Sequence, residues 1–205
     1  MTLIFDLLPE LEAIRRDVRP GDGTVVVSLT RTYDAQPADV WDALTTPDRL
    51  ARWFAPVSGD LREGGTFQIH GNAGGEIRRC EPPASLSLTF GGPDSIVDLR
   101  LTPEGDRTTL VLAHEVPLAM AGSGAGALYP GPGWDGAFLG LAIHLRGGVI
   151  GDPFEAANTP EVIEFNAGSI DRWTAAVEAS GTATPEQVAE ARAVAIQQYT
   201  VLPEA

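Results

Sequence analysis

Apolar residues recur along this chain at two periods, and the switch between them divides it into elements. Residues 3–18 place Ile4, Leu7, Leu8, Leu11, Ile14 and Val18 at helical spacing, which predicts an amphipathic N-terminal helix ended by Pro20-Gly21. The next stretch, "GTVVVSLTRTYDA", is β-branched and sets Val25, Val27, Leu29 and Tyr33 on one strand face. Pro37 then opens "PADVWDALTTPDRLARWFAP" as a first helical turn. Val40, Trp41 and Leu44 form its apolar stripe, and Thr46-Pro47 restarts a second short helix carrying Leu50, Trp53 and Phe54. Two large rings thus stand just before Pro56, where the chain must turn. Either they plug a core or they stand at the mouth of something hollow; Trp41, inside its stripe, is assigned to the core.

From Val57 to Pro117 the period is two. "GGTFQIHGN" puts Phe67 and Ile69 on one face and Gln68 and His70 on the other, and "GGEIRRCEPP" is a short strand ended by two prolines. "ASLSLTF" alternates with Leu86, Leu88 and Phe90 inward. "SIVDLRLTPEGDRTTLVLAHEVP" is a hairpin turned at Pro103-Glu104-Gly105-Asp106, whose second arm aligns Leu110, Leu112 and His114. Such alternation predicts an antiparallel sheet with one apolar and one wet side.

A glycine-rich loop, Ala121 to Gly133, leads into "GWDGAFLGLAIHLRGG", where Trp134, Phe138, Leu141, Ala142 and Leu145 recur as a broad helical face. An apolar helix and an apolar sheet face are natural partners. The tail, residues 152–200, carries two more predicted helices. Thr159-Pro160 opens one, and Thr184-Pro185 with Gln187 makes a capping box for the other.

Composition removes several classes of function. The net charge of −14 is carried on a chain whose 14 basic residues are all Arg, without a basic stripe, so nucleic acid and anionic membrane surfaces are poor partners. Cys80 is the sole cysteine, which excludes an intrachain disulfide and fits a reducing cytoplasm. "MTLIFDLLPELEAIRR" puts acids among its apolar residues and arginines after them, the reverse of an export signal, so a cytosolic protein is expected.

The order of strand, two short helices, meandering sheet and long helix is the helix-grip pattern. "RTYDAQPADVWDALTTPDRLARWFAP", "GGTFQIHG", "GGEIRRCEPPASLSLTF", "TTLVLAHEVP" and "GWDGAFLGLAIHL" resemble the START-like (SRPBCC) superfamily. The best match is its bacterial branch named for likeness to the activator of the heat-shock protein 90 ATPase. The resemblance spans about residues 24–147 and implies an α+β helix-grip (START/Bet v-like) fold, a curved antiparallel sheet wrapped around a long C-terminal helix. It divides the chain into an N-terminal helical extension (1–22), a START-like domain (23–147) and a helical C-terminal extension (148–205). It also implies a cavity between sheet and helix, with Trp53 and Phe54 at one end.

Candidate chemistry is sparse. His70 falls on a wet strand face, and His144 lies well off the direction of Phe138. His114 continues the Leu110 and Leu112 face, either as a buried neutral imidazole or as an acid–base group facing the cavity. The histidines lack metal-ligand spacing, and neither metal nor cofactor is called for. Alternation places Cys80 with Arg78 and Glu76, away from the apolar side, as a bystander. Arg31 shares the Leu29 and Tyr33 face, where it could meet a ligand carboxylate or snorkel to water.

The leading expectation is therefore non-catalytic binding of a small hydrophobic or aromatic molecule. Its wall would comprise Trp53, Phe54, Phe67, Ile69, Leu88, Phe90, Leu112, His114, Trp134, Phe138 and Leu141, with Arg31. A second reading is an aromatase/cyclase-type enzyme using His114. A third is a co-chaperone-like or other protein-partner-binding module, for which Ile163, Phe165, Ile170 and Trp173 of the tail could supply an exposed apolar patch; the same residues could as easily pack on the domain or form a homodimer.

Overall fold

The computed structural model describes residues 7–201, apart from the side chains of Leu8 and Phe154. Its strands are β1 (Arg15–Pro20), β2 (Thr24–Tyr33), β3 (Val57–Gly59), β4 (Thr66–Ile69), β5 (Gly74–Glu81), β6 (Ser85–Thr89), β7 (Ile96–Glu104) and β8 (Arg107–Pro117). They make one curved antiparallel sheet in the order β1-β2-β8-β7-β6-β5-β4-β3. Register follows the apolar pattern. Leu29 pairs with Leu112 and Arg31 with Leu110, so the inward residues of β2 and β8 share one face. Gly105, at φ 67°, supplies the left-handed residue that the β7–β8 turn requires.

The helices are α1 (Leu8–Glu12), α2 (Pro37–Thr45), α3 (Pro47–Leu50), α4 (Leu118–Ala121), α5 (Gly131–Leu145), α6 (Pro153–Ala156), α7 (Pro160–Ser180) and α8 (Pro185–Tyr199). Proline takes the first turn of α2, α3, α7 and α8, where its missing N–H costs nothing. The capping box at Thr184 and Gln187 is present in both directions. The long helix of the helix-grip fold is α5, lying against the inner sheet face, where the Tyr33 hydroxyl donates to the Phe138 carbonyl at 3.2 Å.

One expectation is corrected. The N-terminal helix is short, and residues 15–20 form an edge strand instead, pairing with Val25–Thr30 of β2; Ile4 lies outside the described residues. The reason is a period of two hidden by charge. Ile14, Arg16 and Val18 all point inward, but Arg16 reads as polar although its side chain is only 5% exposed. The tail is docked, as two capped helices with apolar stripes require: Phe165, Ile170 and Trp173 are each at most 1% exposed and belong to the core, and Ile163 is half-buried.

The tail is pinned by a buried carboxylate. Asp135 of α5 is fully buried and accepts from Arg16 Nε of β1 at 2.8 Å, from Trp173 Nε1 of α7 at 3.1 Å and from the Ser169 hydroxyl. Burial pushes the Asp135 carboxyl up, while the Arg16 guanidinium beside it pulls the other way. One side chain thereby joins sheet edge, central helix and tail.

Candidate functional site

Between the inner face of the sheet and α5 lies a chamber of about 170 Å³. Its wall is hydrocarbon and aromatic: strands β4 to β8 contribute Phe67, Ile69, Leu88 and Leu112, α5 contributes Trp134, Phe138 and Leu141, and Phe90 follows β6. Several of these side chains are only half-buried although they point inward, as expected where a wall borders a hollow. Ten of the twelve residues singled out from the sequence line this space; His114 and Arg31 do not.

Trp53 and Phe54 serve as both plug and rim. Trp53 is 6% exposed, its indole N–H donates to the Ala43 carbonyl at 3.1 Å, and it also lines the chamber. It is held from behind by α5, where a Cβ on Gly140 would lie 2.8 Å from the Trp53 carbonyl oxygen, so only glycine permits this approach. Phe54 is half-buried, with its ring centroid 5.5 Å from that of Trp53. Trp41, expected in the core, is half-buried against it.

His114 stands behind the wall and orients it. Trp134 Nε1 donates to its Nδ1 at 3.1 Å, and the Ser95 hydroxyl lies 2.8 Å from its Nε2. An indole nitrogen only donates, so Nδ1 must accept and the proton of the neutral ring sits on Nε2. Burial pulls its pKa down to about 4. Phe90 packs against both rings, at 5.8 Å from His114 and 5.1 Å from Trp134, which makes an aromatic end wall.

Arg31 does point inward, as its strand face required, but it meets Glu10 of α1 in a buried ion pair and lies 5.2 Å above the Tyr33 ring. Its Nε and Nη1 have no hydrogen-bond partner among the described residues. Glu10 also receives Arg146, and its carboxyl is lowered by these two guanidinium groups against the opposing effect of burial. Arg31 therefore braces the N-terminus rather than the chamber. His144 receives a bond from Arg49 Nε at 3.2 Å and lies away from the chamber wall.

Cys80 is a correction. Strict alternation assigns it to the wet face, but the register of β5 against β6 shifts between Ile77 and Arg79, so Cys80 pairs with Leu86 and lines the chamber. Burial and the Glu63 carboxylate push its thiol up, leaving a neutral sulfur in an apolar wall. Leu44, Leu50, Val57, Ile77, Val97 and Leu99 also line the space. The strand alternation of Val57, Ile77, Val97 and Leu99 and the helical spacing of Leu44 and Leu50 were the signals that could have found them. Among the described residues there is no group of side chains able to hold a metal ion and no helix long and apolar enough to cross a membrane.

Solved structures of similar chains share this architecture. The crystal structure of CalU16 from Micromonospora echinospora is 34% identical, covers 81% of this chain and 99% of its own, and superposes with a TM-score of 0.66. The solution structure of the same protein gives 34%, 82%, 97% and 0.69. DynU16, described as a putative protein in the dynemicin biosynthetic locus, is 26% identical over 62% of this chain and 48% of its own, with a TM-score of 0.53. No curated protein matches. Residues 34–145, which hold the two short helices, most of the sheet and all of α5, match the family described as activator of Hsp90 ATPase homolog 1-like protein, and the chain belongs to it.

Proposed function

We propose that the protein binds a small hydrophobic, aromatic molecule in the chamber between sheet and α5, without acting on it chemically. The observation that carries this reading is the wall itself, built of apolar and aromatic side chains with Thr45 and Cys80 as its polar exceptions. Burying charge or unpaired polar groups there would be costly, so the chemistry of the wall selects hydrocarbon and ring surface. An acid–base reaction would need a titratable group with a free ring nitrogen on the wall. His114 instead has one nitrogen occupied by Trp134 and the other by Ser95. The similarity to DynU16, associated with a biosynthetic locus for a small molecule, is compatible with a small-molecule ligand.

Size sets the scale. A cavity of about 150 Å³ lined by comparable side chains takes up benzene, so a chamber of about 170 Å³ admits one ring. Such a ring buries about 150–200 Å² at about 25 cal/mol per Å², giving about 4–5 kcal/mol and a dissociation constant near millimolar. The test is tryptophan fluorescence of the wild type and of Trp53→Phe with benzene, toluene and styrene, together with the rate of Cys80 alkylation. Binding is expected to alter the Trp53 signal and slow the alkylation. A panel that moves neither signal would sink the reading.

A further inference from the structure

A second space opens on the other side of Trp53 and Phe54. It is a cleft of about 590 Å³ between α5, the segment from Val149 to Thr159 and the start of α7. The two spaces share Trp53, Phe54 and Ala137 as a common partition. Trp53 is fixed by its hydrogen bond to Ala43 and by the close approach of Gly140, whereas Phe54 is half-buried and held only by packing, so Phe54 is the leaf that can turn.

The chemistry of the cleft differs from that of the chamber. Its floor is apolar, with Leu139, Ile143 and Ile150, but its rim carries Glu161, the one charged side chain on its wall among the described residues. Asn166, 9% exposed, also lines it. The Asn166 amide nitrogen donates to the Tyr199 carbonyl at 3.0 Å, which fixes the amide's orientation, and its oxygen is left without a partner among the described residues. A carboxylate and an unpaired amide oxygen both accept. Gly136 gives the cleft its width, since a Cβ there would meet nothing within 4 Å.

We infer that the natural ligand has two parts: an apolar ring unit seated in the inner chamber, and a chain that passes Phe54 and ends in a hydrogen-bond donor, a hydroxyl or an ammonium group, in this cleft. The inference rests on the binding function proposed above and deepens it. It also supplies what the inner chamber lacks, because one ring alone gives only near-millimolar affinity. An anionic end group would meet Glu161 and gains nothing.

The experiment is titration calorimetry of the full chain with benzene, butylbenzene, 4-phenylbutan-1-ol, 4-phenylbutylamine and 4-phenylbutyrate. The alcohol and the amine are expected to bind on the order of tenfold more tightly than butylbenzene, the gain of one well-made hydrogen bond to a charged or unpaired acceptor. The carboxylate should bind no more tightly than butylbenzene. Gly136→Leu fills the cleft from a position with room for the side chain, and replacing glycine within a helix favours folding. It should abolish the gain of both polar probes while benzene binds as before. Glu161→Gln should remove the amine's advantage and spare the alcohol's. Equal affinity of butylbenzene, alcohol and amine for the wild type, or a polar gain that survives Gly136→Leu, overturns this inference and leaves the inner chamber standing. Failure of benzene itself to bind overturns the inner-chamber reading and the two-part ligand with it.

Discussion

Helix α5 presents one face to a hollow and another to a close-packed seam. Trp134, Ala137, Phe138 and Leu141 look into the chamber, whereas Asp135 and Leu139, a third of a turn or so around the helix, meet β1, α1 and α7. The seam is dense: Leu139 is 4% exposed against Leu11 and Phe165, and Asp135 gathers three donors on one oxygen. On the chamber side Trp134 and Ala137 are only half-buried, bordering open space. The same fifteen-residue helix is thus anchored on one face so that the other can stay open. In a chain this size, contacts at the seam supply the stability that a hollow forfeits.

The strongest way to break that comparison is to remove the anchor. Asp135→Ala strands the Arg16 guanidinium in the interior and leaves Ser169 and Trp173 without their acceptor. It is expected to cost about 3–5 kcal/mol, as for other broken buried ion pairs. Urea unfolding measures it, and a loss below about 1 kcal/mol would mean that α7 is held by packing alone.

The chamber side has its own polar dependence, smaller and set by pH. His114 has its pKa pulled from the ordinary 6.5 down to about 4 by burial, so the unfolded chain binds its proton first. A group whose folded pKa is depressed contributes stability that is present above the unfolded pKa and lost as pH falls through the folded one. The contribution, about 3 kcal/mol at 1.36 kcal/mol per pH unit, should therefore disappear between pH 6.5 and pH 4. Protonation also removes the Nδ1 acceptor from Trp134, so its fluorescence should shift over the same window. A His114→Gln protein with an unchanged stability profile from pH 7 to pH 4 would assign the loss to other groups.

The two faces were unequally legible in the sequence. The chamber wall could be read because inward residues of β4, β6 and β8 and one stripe of α5 follow clean periods of two and of 3.6, and ten of the expected residues do line it. The seam could not. Its key residues, Arg16 and Asp135, are charged, and a buried charge looks like a surface position to any pattern of apolar spacing. That misreading turned β1 into a helix and hid what holds the tail. Cys80 was lost differently, since one extra residue in β5 inverts alternation and no local signal marks it. Arg31 was placed on its proper face but not with its partner, because Glu10 lies on another element 21 positions away in sequence.

Truncation of matched leucines sharpens the contrast further. Leu11→Ala removes a fully buried side chain packed on Leu139 and Phe165 and should cost about 2–5 kcal/mol. Leu88→Ala removes one that is half-buried beside existing space, so fewer contacts are lost and about 1–2 kcal/mol is expected. A difference of about 2 kcal/mol between the two variants is the quantity to measure. Equal costs would show that the chamber side is packed as tightly as the seam.

The smallest expected effect tests the hollow directly. A ligand that enters only the folded chain stabilises it by RT ln(1 + [L]/Kd), which at ten times Kd is about 1.4 kcal/mol. Benzene should give this to the wild type through burial in the chamber. In Leu88→Ala the same wall is enlarged, so the preference should move from benzene toward toluene and part of the lost stability should return with the larger ring. Leu11→Ala offers no such recovery by this route, because Leu11 lines neither the chamber nor the cleft and a void opened there lies behind α5. Thermal unfolding of both variants with and without toluene decides it. Rescue of Leu88→Ala alone supports the division of α5 into an open and a closed face, and rescue of both, or of neither, removes it.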